Sequence, residues 1–223
     1  MEQPTESALQ TSLLFPVLND TERQRFVQSA RRQHFKAQQP IFRMGDPGVS
    51  MMLIEAGLVR ISYPSAEGRV IQLAELGPGT VFGEIALLDG GDRSADASAA
   101  TDCALLVFPR QEVMTMLAQN WQLTSTVLRL LCERLRRSDE RMADLAFFDL
   151  PGRLAKTLLE RAARGPNGRY RVSDTQGVLA EMVGGSRETV NRCLHKWERE
   201  GLVELVEGRI YLLDRQALGN LAR

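Results

Sequence analysis

From Leu123 to Phe147 the chain runs with few helix breakers, and it then meets Asp149-Leu150-Pro151-Gly152. Proline and glycine are the strongest local punctuation in a sequence, so a long helix is expected to stop there and a new domain to begin. Along the helix Val127, Leu131, Leu135, Met142 and Leu145 recur at three- and four-residue steps. Such a stripe is a seam for another helix. Ser138 interrupts it, and Asp139 follows. One reading makes Ser138 a polar residue that fixes helix pairing and Asp139 plain surface. The other is a helix that closes over a ligand, and the upstream sequence favours it. The chain is accordingly divided into residues 1–120, 121–149 and 150–223.

The texture before the helix is different. Ala8 to Arg31 reads as helical, with a short segment around Leu13-Leu14-Phe15-Pro16. Asp20 is the expected N-cap of Thr21 to Arg31, and Phe26 and Val27 its inner face. From His34 to Pro109 short apolar runs (Met51–Glu55, Leu58–Tyr63, Val70–Leu76) alternate with glycine-rich turns. Short, evenly spaced strands of this kind indicate an antiparallel barrel or roll. Ile61, Tyr63, Ile71, Leu73 and Val81 are its expected core. Arg110 to Asn120 reads as a short helix, which makes the class α+β.

Within the strand-rich part, Val81 to Leu88 runs through the loop Asp89-Gly90-Gly91 to Asp92-Arg93-Ser94-Ala95. Glycine there lets the backbone come close to a ligand. A buried phosphate needs a planar cation with nearby N–H or hydroxyl donors, the chemistry of Arg93, Ser94 and Ala95. A sugar hydroxyl beside it needs an acceptor, and an ionised Glu84 only accepts.

After the break, Arg153 to Arg164 reads as helix, Gly165-Pro166-Asn167-Gly168 as a turn and Tyr170 to Ser173 as a strand. Thr175 to Glu200 then reads as helix, tight turn, helix. Gln176 to Val183 is the first helix, Gly184-Gly185 the turn and Ser186 the cap of the second. Arg187, Glu188, Thr189 and Arg192 lie along the front of the second helix; Val190, Leu194 and Trp197 lie along its back. Arg can donate two bonds to guanine O6 and N7, and Glu can accept from cytosine N4, so the front suits a major groove. Gly201 to Glu204 and Arg209 to Leu212 suggest a hairpin wing. The charge agrees in sign: from Leu150 onward 13 Lys and Arg stand against 9 Asp and Glu, although the whole chain is neutral.

Other classes are disfavoured. The three cysteines, Cys103, Cys132 and Cys193, are scattered and lack metal-ligand spacing, which suits free thiols in a reducing cytoplasm. No apolar run reaches membrane-spanning length, and Met1 to Gln10 lacks the pattern of a secretory signal. With His34 and His195 far apart in sequence, neither haem ligation nor a nucleophile–base pair stands out, so no enzyme and no metal are expected.

Three passages together resemble the Crp/Fnr family of bacterial transcription regulators, and the resemblance spans almost the whole chain. They are Phe-Gly-Glu…Arg-Ser-Ala (Phe82 to Ala95), Leu-Ala-Phe-Phe-Asp (Leu145 to Asp149) and Val-Gly-Gly-Ser-Arg-Glu-Thr-Val (Val183 to Val190). The resemblance implies a cyclic-nucleotide-binding β-roll, a dimerising helix over 121–149 and a winged helix-turn-helix. It implies that Gly83 and Glu84, with Ile85 and Ala86 beside them, meet the ribose and cyclic phosphate, and that Arg93, Ser94 and Ala95 meet the phosphate. Ser138, and Asp139 from a second subunit, would meet the purine. Arg187, Glu188 and Arg192 would read bases in a two-fold operator with TGTGA-like half-sites, and Gln176, Ser186 and Thr189 would lie near phosphates. Cyclic AMP is the first ligand implied. The base-facing pair, Thr-Ser in the family member that the chain most resembles, is Ser138-Asp139 here, and a carboxylate pairs well with guanine N1–H and N2–H, which keeps cyclic GMP open. Cyclic di-GMP, or no ligand at all, also stays open. Double-stranded DNA, a second copy of the chain and RNA polymerase are the implied partners, but the loop Gly165–Gly168, where family members touch the polymerase, is shorter here.

Overall fold

A computed structural model describes residues 12, 14–65, 67–68, 70–165 and 168–222. They form two compact units, one of residues up to Gly68 with Leu73–Leu135, the other of Arg136 onward with residues up to Gln72 from position 69.

In the first unit a single 3-10 turn, Phe15–Val17, leads into α1 (Asp20–Ser29). Its cap is Asn19, not the expected Asp20. The Asn19 side chain accepts from Glu22 N–H at 2.9 Å, and the Glu22 carboxylate accepts from Asn19 N–H at 2.8 Å. Only the residue three before a Glu can close that reciprocal box. The helix also ends at Ser29, because Arg31 already pairs in a strand. The expected helical start at Ala8 to Gln10 lies outside the described residues.

Eight strands follow: β1 (Arg31–Phe35), β2 (Pro40–Phe42), β3 (Ser50–Ala56), β4 (Val59–Pro64), β5 (Val70–Leu76), β6 (Val81–Phe82), β7 (Asp96–Ala99) and β8 (Cys103–Pro109). They make two four-stranded sheets, ordered β1-β8-β3-β6 and β2-β7-β4-β5, with antiparallel pairings. Met52, Ile54, Phe82 and Leu105 of the first sheet meet Val59, Ala97 and Ala99 of the second in one core. Met51, Leu53, Leu106 and Phe108 point the other way, against Phe26 of α1 and the helices after the roll. Alternate residues of a strand face opposite sides, so a sheet buried on both faces needs an unbroken apolar run. This is why β3 reads Met51-Met52-Leu53-Ile54.

The second sheet is covered less evenly. Val81 of the first sheet is buried as expected; in the second, Ile61 is half-buried, Tyr63, Ile71 and Leu73 are exposed, and Ser62 and Gln72 are buried. β5 is an edge strand, and strand register, not apolar content, decides which of its residues are covered.

Three helices complete this part: α2 (Glu84–Asp89), α3 (Arg110–Gln119) and α4 (Trp121–Phe147). α4 begins two residues earlier than expected, with the Asn120 side chain accepting from Leu123 N–H at 2.9 Å. Its expected single seam divides. Leu123 and Val127 are buried in the first unit's core and Leu131 packs against it, whereas Leu135, Met142 and Leu145 are exposed. The exposed series is Trp121, Leu128, Leu135 and Met142, at steps of seven.

In the second unit only Phe148 and Asp149 separate the long helix from the next. Asp149 caps α5 (Leu150–Arg161) by accepting from Gly152 N–H at 2.8 Å, and Pro151 sits in the first turn. There its missing N–H has no helical partner to lose, so the expected helix start at Arg153 moves three residues upstream. The helix stops at Arg161, and Ala163–Arg164 is strand β9, followed by β10 (Tyr170–Val172), α6 (Gln176–Val183), α7 (Arg187–Arg199), β11 (Val203–Val206), β12 (Arg209–Leu212) and α8 (Arg215–Leu221). Of the expected turn between β9 and β10, positions 166 and 167 lie outside the described residues. The sheet runs β11-β12-β10-β9, and one core holds Leu154, Leu158, Leu179, Val190, Leu194 and Trp197.

Candidate functional site

The cleft of the first unit begins where β6 ends. Gly83 takes a left-handed conformation (φ 76°) and turns the chain into α2. A Cβ on it would stand 2.6 Å from Arg93 Nη1, so both the backbone and the close approach require glycine. Gly90, also left-handed, ends the helix after six residues. The chain then returns beside the Gly45–Pro47 loop, with Arg93 N–H donating to Asp46 O at 2.8 Å and Gly45 N–H to Arg93 O at 2.9 Å.

That clamp holds the Arg93 side chain inside, only 4% exposed. Nη1 donates to Gly83 O at 2.7 Å, Nη2 donates to Ser50 O at 2.8 Å, and the guanidinium lies 4.3 Å from the centre of the Phe42 ring. Nε has no partner among the described residues. Burial pushes the guanidinium pKa below its ordinary value, and the charges of Glu84 and Asp46 push it back up. Glu84, 2% exposed, accepts at Oε1 from Arg134 Nη1 on α4, while its Oε2 has no partner among the described residues. A buried cation and a buried anion, each with an open hydrogen-bonding atom, therefore belong to one cleft. Its volume is ≈ 70 Å³.

All seven expected residues of this region, Gly83, Glu84, Ile85, Ala86, Arg93, Ser94 and Ala95, line that cleft, with Phe42, Ile61, Phe82 and Arg134. Ser138 and Asp139 are not among its lining; both are exposed on α4 within the second unit. Sequence alone does not single out Arg134. The available signal is its place on α4, one turn before Ser138, where residues four apart share a face.

A Gly83→Ala protein should lose about 1–2 kcal/mol of stability to the left-handed backbone. The new methyl should also displace the Arg93 guanidinium and weaken binding of the cyclic nucleotide that the sequence resemblance implies. A melting curve and a binding isotherm on the same preparation check both effects.

The second unit carries the helix-turn-helix expected from the sequence. Thr175 caps α6, and Gln176 is its first residue. Gly184, left-handed at φ 65°, ends α6, and Ser186 caps α7 by accepting from Thr189 N–H at 3.1 Å. The Thr189 hydroxyl also bonds Ser186 Oγ at 2.9 Å. Val190, Leu194 and Trp197 are buried, which fixes the opposite face outward. Arg187, Glu188 and Arg192 stand exposed there, and their side chains make no hydrogen bond or ion pair among the described residues. His195, Lys196 and Arg199 continue the same face and were not singled out from the sequence. Arg199 and Lys196 place positive charge in the last turn, where the helix dipole favours it.

Comparison with known proteins agrees with both halves of this geometry. Residues 32–120 match the cyclic nucleotide-binding domain, and residues 152–221 match the Crp-like helix-turn-helix domain. A CRP-like cAMP-activated global transcriptional regulator of Mycobacterium tuberculosis is 35% identical over 188 residues, covering 82% of this chain and 84% of the relative. The chain belongs to the Crp/Fnr family. A Crp/Fnr regulator of Thermus thermophilus has the same fold, with a TM-score of 0.68 and 33% identity over 86% of this chain and 98% of that one. The c-di-GMP-responsive regulator CLP of Xanthomonas campestris, at 23% identity, shares the fold with a TM-score of 0.78 over 88% of this chain and 100% of its own. As a Crp/Fnr member the protein is a DNA-binding transcription regulator with a cyclic nucleotide-binding domain, and not an enzyme. Among the described residues no cluster of His, Cys, Asp and Glu is arranged to hold a metal, and no helix is long and apolar enough to cross a membrane.

Proposed function

We propose that this Crp/Fnr regulator is a homodimer switched by a cyclic purine nucleotide, first of all cyclic AMP, that binds palindromic operators with TGTGA-like half-sites in the cytoplasm. The observation that carries the ligand class is the pair of open buried atoms, Arg93 Nε and Glu84 Oε2, in one cleft. A cyclic phosphodiester needs a fixed fork of donors and a ribose hydroxyl needs an acceptor. Arg93, Ser94 and Ala95 take the phosphate; Gly83 and Glu84, with Ile85 and Ala86, take the sugar side; Ser138 and Asp139 take the base. Neither Ser138 nor Asp139 lines the ≈ 70 Å³ cleft, which by itself serves the phosphate and sugar ends of the ligand.

The exposed seven-residue series on α4 supports pairing with a second copy over 121–149, since apolar residues at that spacing form a two-stranded seam. Arg187, Glu188 and Arg192 read bases, while Gln176, Ser186 and Thr189 hold phosphates. RNA polymerase is the partner through which an operator-bound regulator acts. Asp139 favours a second reading, cyclic GMP, because a carboxylate accepts two parallel bonds from guanine and only one from adenine.

Calorimetry of the purified protein against cyclic AMP, cyclic GMP and cyclic di-GMP tests the assignment. Tight one-per-chain binding of cyclic AMP is expected; preference for cyclic GMP supports the second reading. Binding of cyclic di-GMP alone, or of none of the three, overturns both.

A further inference from the structure

Phe42 lines the cleft from the short strand β2, and a bulge brings it there. Against β7, Pro40 pairs with Ser98 but Phe42 pairs with Ala97. A regular ladder would set Phe42 opposite Asp96 and keep it on the side of Pro40. The extra residue turns it to the side of Ala97, which is buried and pairs in turn with Ile61 of the cleft. There the Phe42 ring meets Phe82, with 5.9 Å between centroids, and the Arg93 guanidinium carbon sits 4.3 Å over its centre. Phe82 is fully buried and precedes Gly83, whose carbonyl accepts from Arg93 Nη1. One aromatic pair thus backs the buried cation.

Hydrogen bonds alone leave that guanidinium a freedom. Gly83 O, Ser50 O and Ser50 Oγ all accept along its Nη edge, the last at 3.1 Å. The group can pivot about this edge, and the pivot swings Nε, the atom without a partner among the described residues. A ring against one face resists the swing. A carboxylate in its place would hold the cation too, but would cancel its charge and repel an incoming anion. The face of a ring attracts a cation through its quadrupole and leaves the charge whole.

We propose that Phe42 is a positioning residue: the negative face of its ring holds the Arg93 guanidinium so that Nε–H meets the phosphate of a bound cyclic nucleotide. The ligand rests on the cyclic-nucleotide reading of the cleft; the hold on Arg93 belongs to the free protein as well. A ring that merely walled the sugar would line the same cleft, and three measurements separate the two roles.

The first needs no ligand. In the nitrogen–proton spectrum of the free full-length protein, the Arg93 Nε–H signal is the one missing from Arg93→Lys. Ring current should place it upfield of the other arginines, and Phe42→Leu should return it downfield and speed its exchange with water. The second is calorimetry with cyclic AMP, in which Phe42→Leu should bind roughly 5- to 30-fold more weakly. A trifluorinated phenylalanine at this position keeps the shape of the ring, removes most of the charge of its face, and should lose a comparable share. The third repeats Phe42→Leu in an Arg93→Ala background, where no further loss of affinity is expected. An Arg93 signal that Phe42→Leu leaves in place overturns the proposal. Equal losses of affinity with and without Arg93 overturn it too, and make the ring a direct ligand contact. Full affinity with the trifluorinated ring does the same, because the hold is then not electrostatic. If the wild type binds no cyclic AMP, the ligand reading fails, and the Arg93 signal alone decides the hold: moved by Phe42→Leu it stands, unmoved it falls. Matching melting curves for the trifluorinated protein and the wild type show that the roll is intact.

Discussion

An Arg93→Ala protein should fold and dimerise but lose nucleotide-dependent binding to its operator. One charge-assisted bond from the open Nε to a phosphate contributes about 1.5–3 kcal/mol, so nucleotide affinity should fall roughly 10- to 150-fold. The fold should survive because opposing effects meet at this position. Gly83 O and Ser50 O lose their donors, which costs about 1–3 kcal/mol for each acceptor left dry. Against that, a cation whose burial already depresses its pKa is no longer held out of water. Arg93→Lys is the informative companion. A lysine keeps the charge but has no fork, so it cannot bond Gly83 O, Ser50 O and a ligand together. It should recover little. A titration of operator binding with cyclic AMP, beside a melting curve, reads both variants. Undiminished nucleotide dependence in Arg93→Ala would remove the phosphate role from this residue.

The second large effect lies on α7. Arg192→Ala should weaken operator binding by about 1–3 kcal/mol, roughly 5- to 150-fold, and relax preference at one base position of each half-site. Its guanidinium is exposed with no partner among the described residues, and the buried Val190, Leu194 and Trp197 hold the helix that presents it. Lys196→Ala should behave differently. A lysine that meets phosphate contributes without regard to sequence, so its loss should weaken all duplexes alike and lower the salt slope by about 1. Base-by-base binding profiles separate the two. If Arg192→Ala lowers affinity evenly across sequences, the base-reading role belongs elsewhere on the helix.

Much of the Arg93 side of the cleft and of the exposed face of α7 is legible in the order of residues alone. The glycine turn, Glu84 and Arg93 form a compact local signal, because one β-strand, one short helix and one return loop build that side of the cleft. The capped helix-turn-helix is local too, with Ser186 and Gly184 marking its ends. What the sequence misjudges depends on distant residues. Ile71 and Leu73 look like core until the edge position of β5 is known, and Tyr63 until the register of β4 is. Pro151 looks like a break until Asp149 caps the helix that contains it. Arg134 lies 50 residues from Glu84, and no local pattern pairs them. The stripe on α4 is visible, but which members face inward depends on the core they meet: Val127 goes inside, and the seam of seven-residue steps begins at Trp121.

The α4 seam also carries one of the chain's two tryptophans, and each unit holds one of them. Trp121 is 73% exposed at the head of the α4 series, and Trp197 is 3% exposed in the winged core. Their emission should therefore report separate events. When two copies meet along α4, the indole of Trp121 loses water and its emission shifts to shorter wavelength, while Trp197 stays unchanged until its own core melts. Dilution should reverse the first shift alone. A Trp121→Phe protein, silent to dilution but not to heat, would assign each signal to its residue, so that assembly and unfolding can be followed in one cuvette without a label.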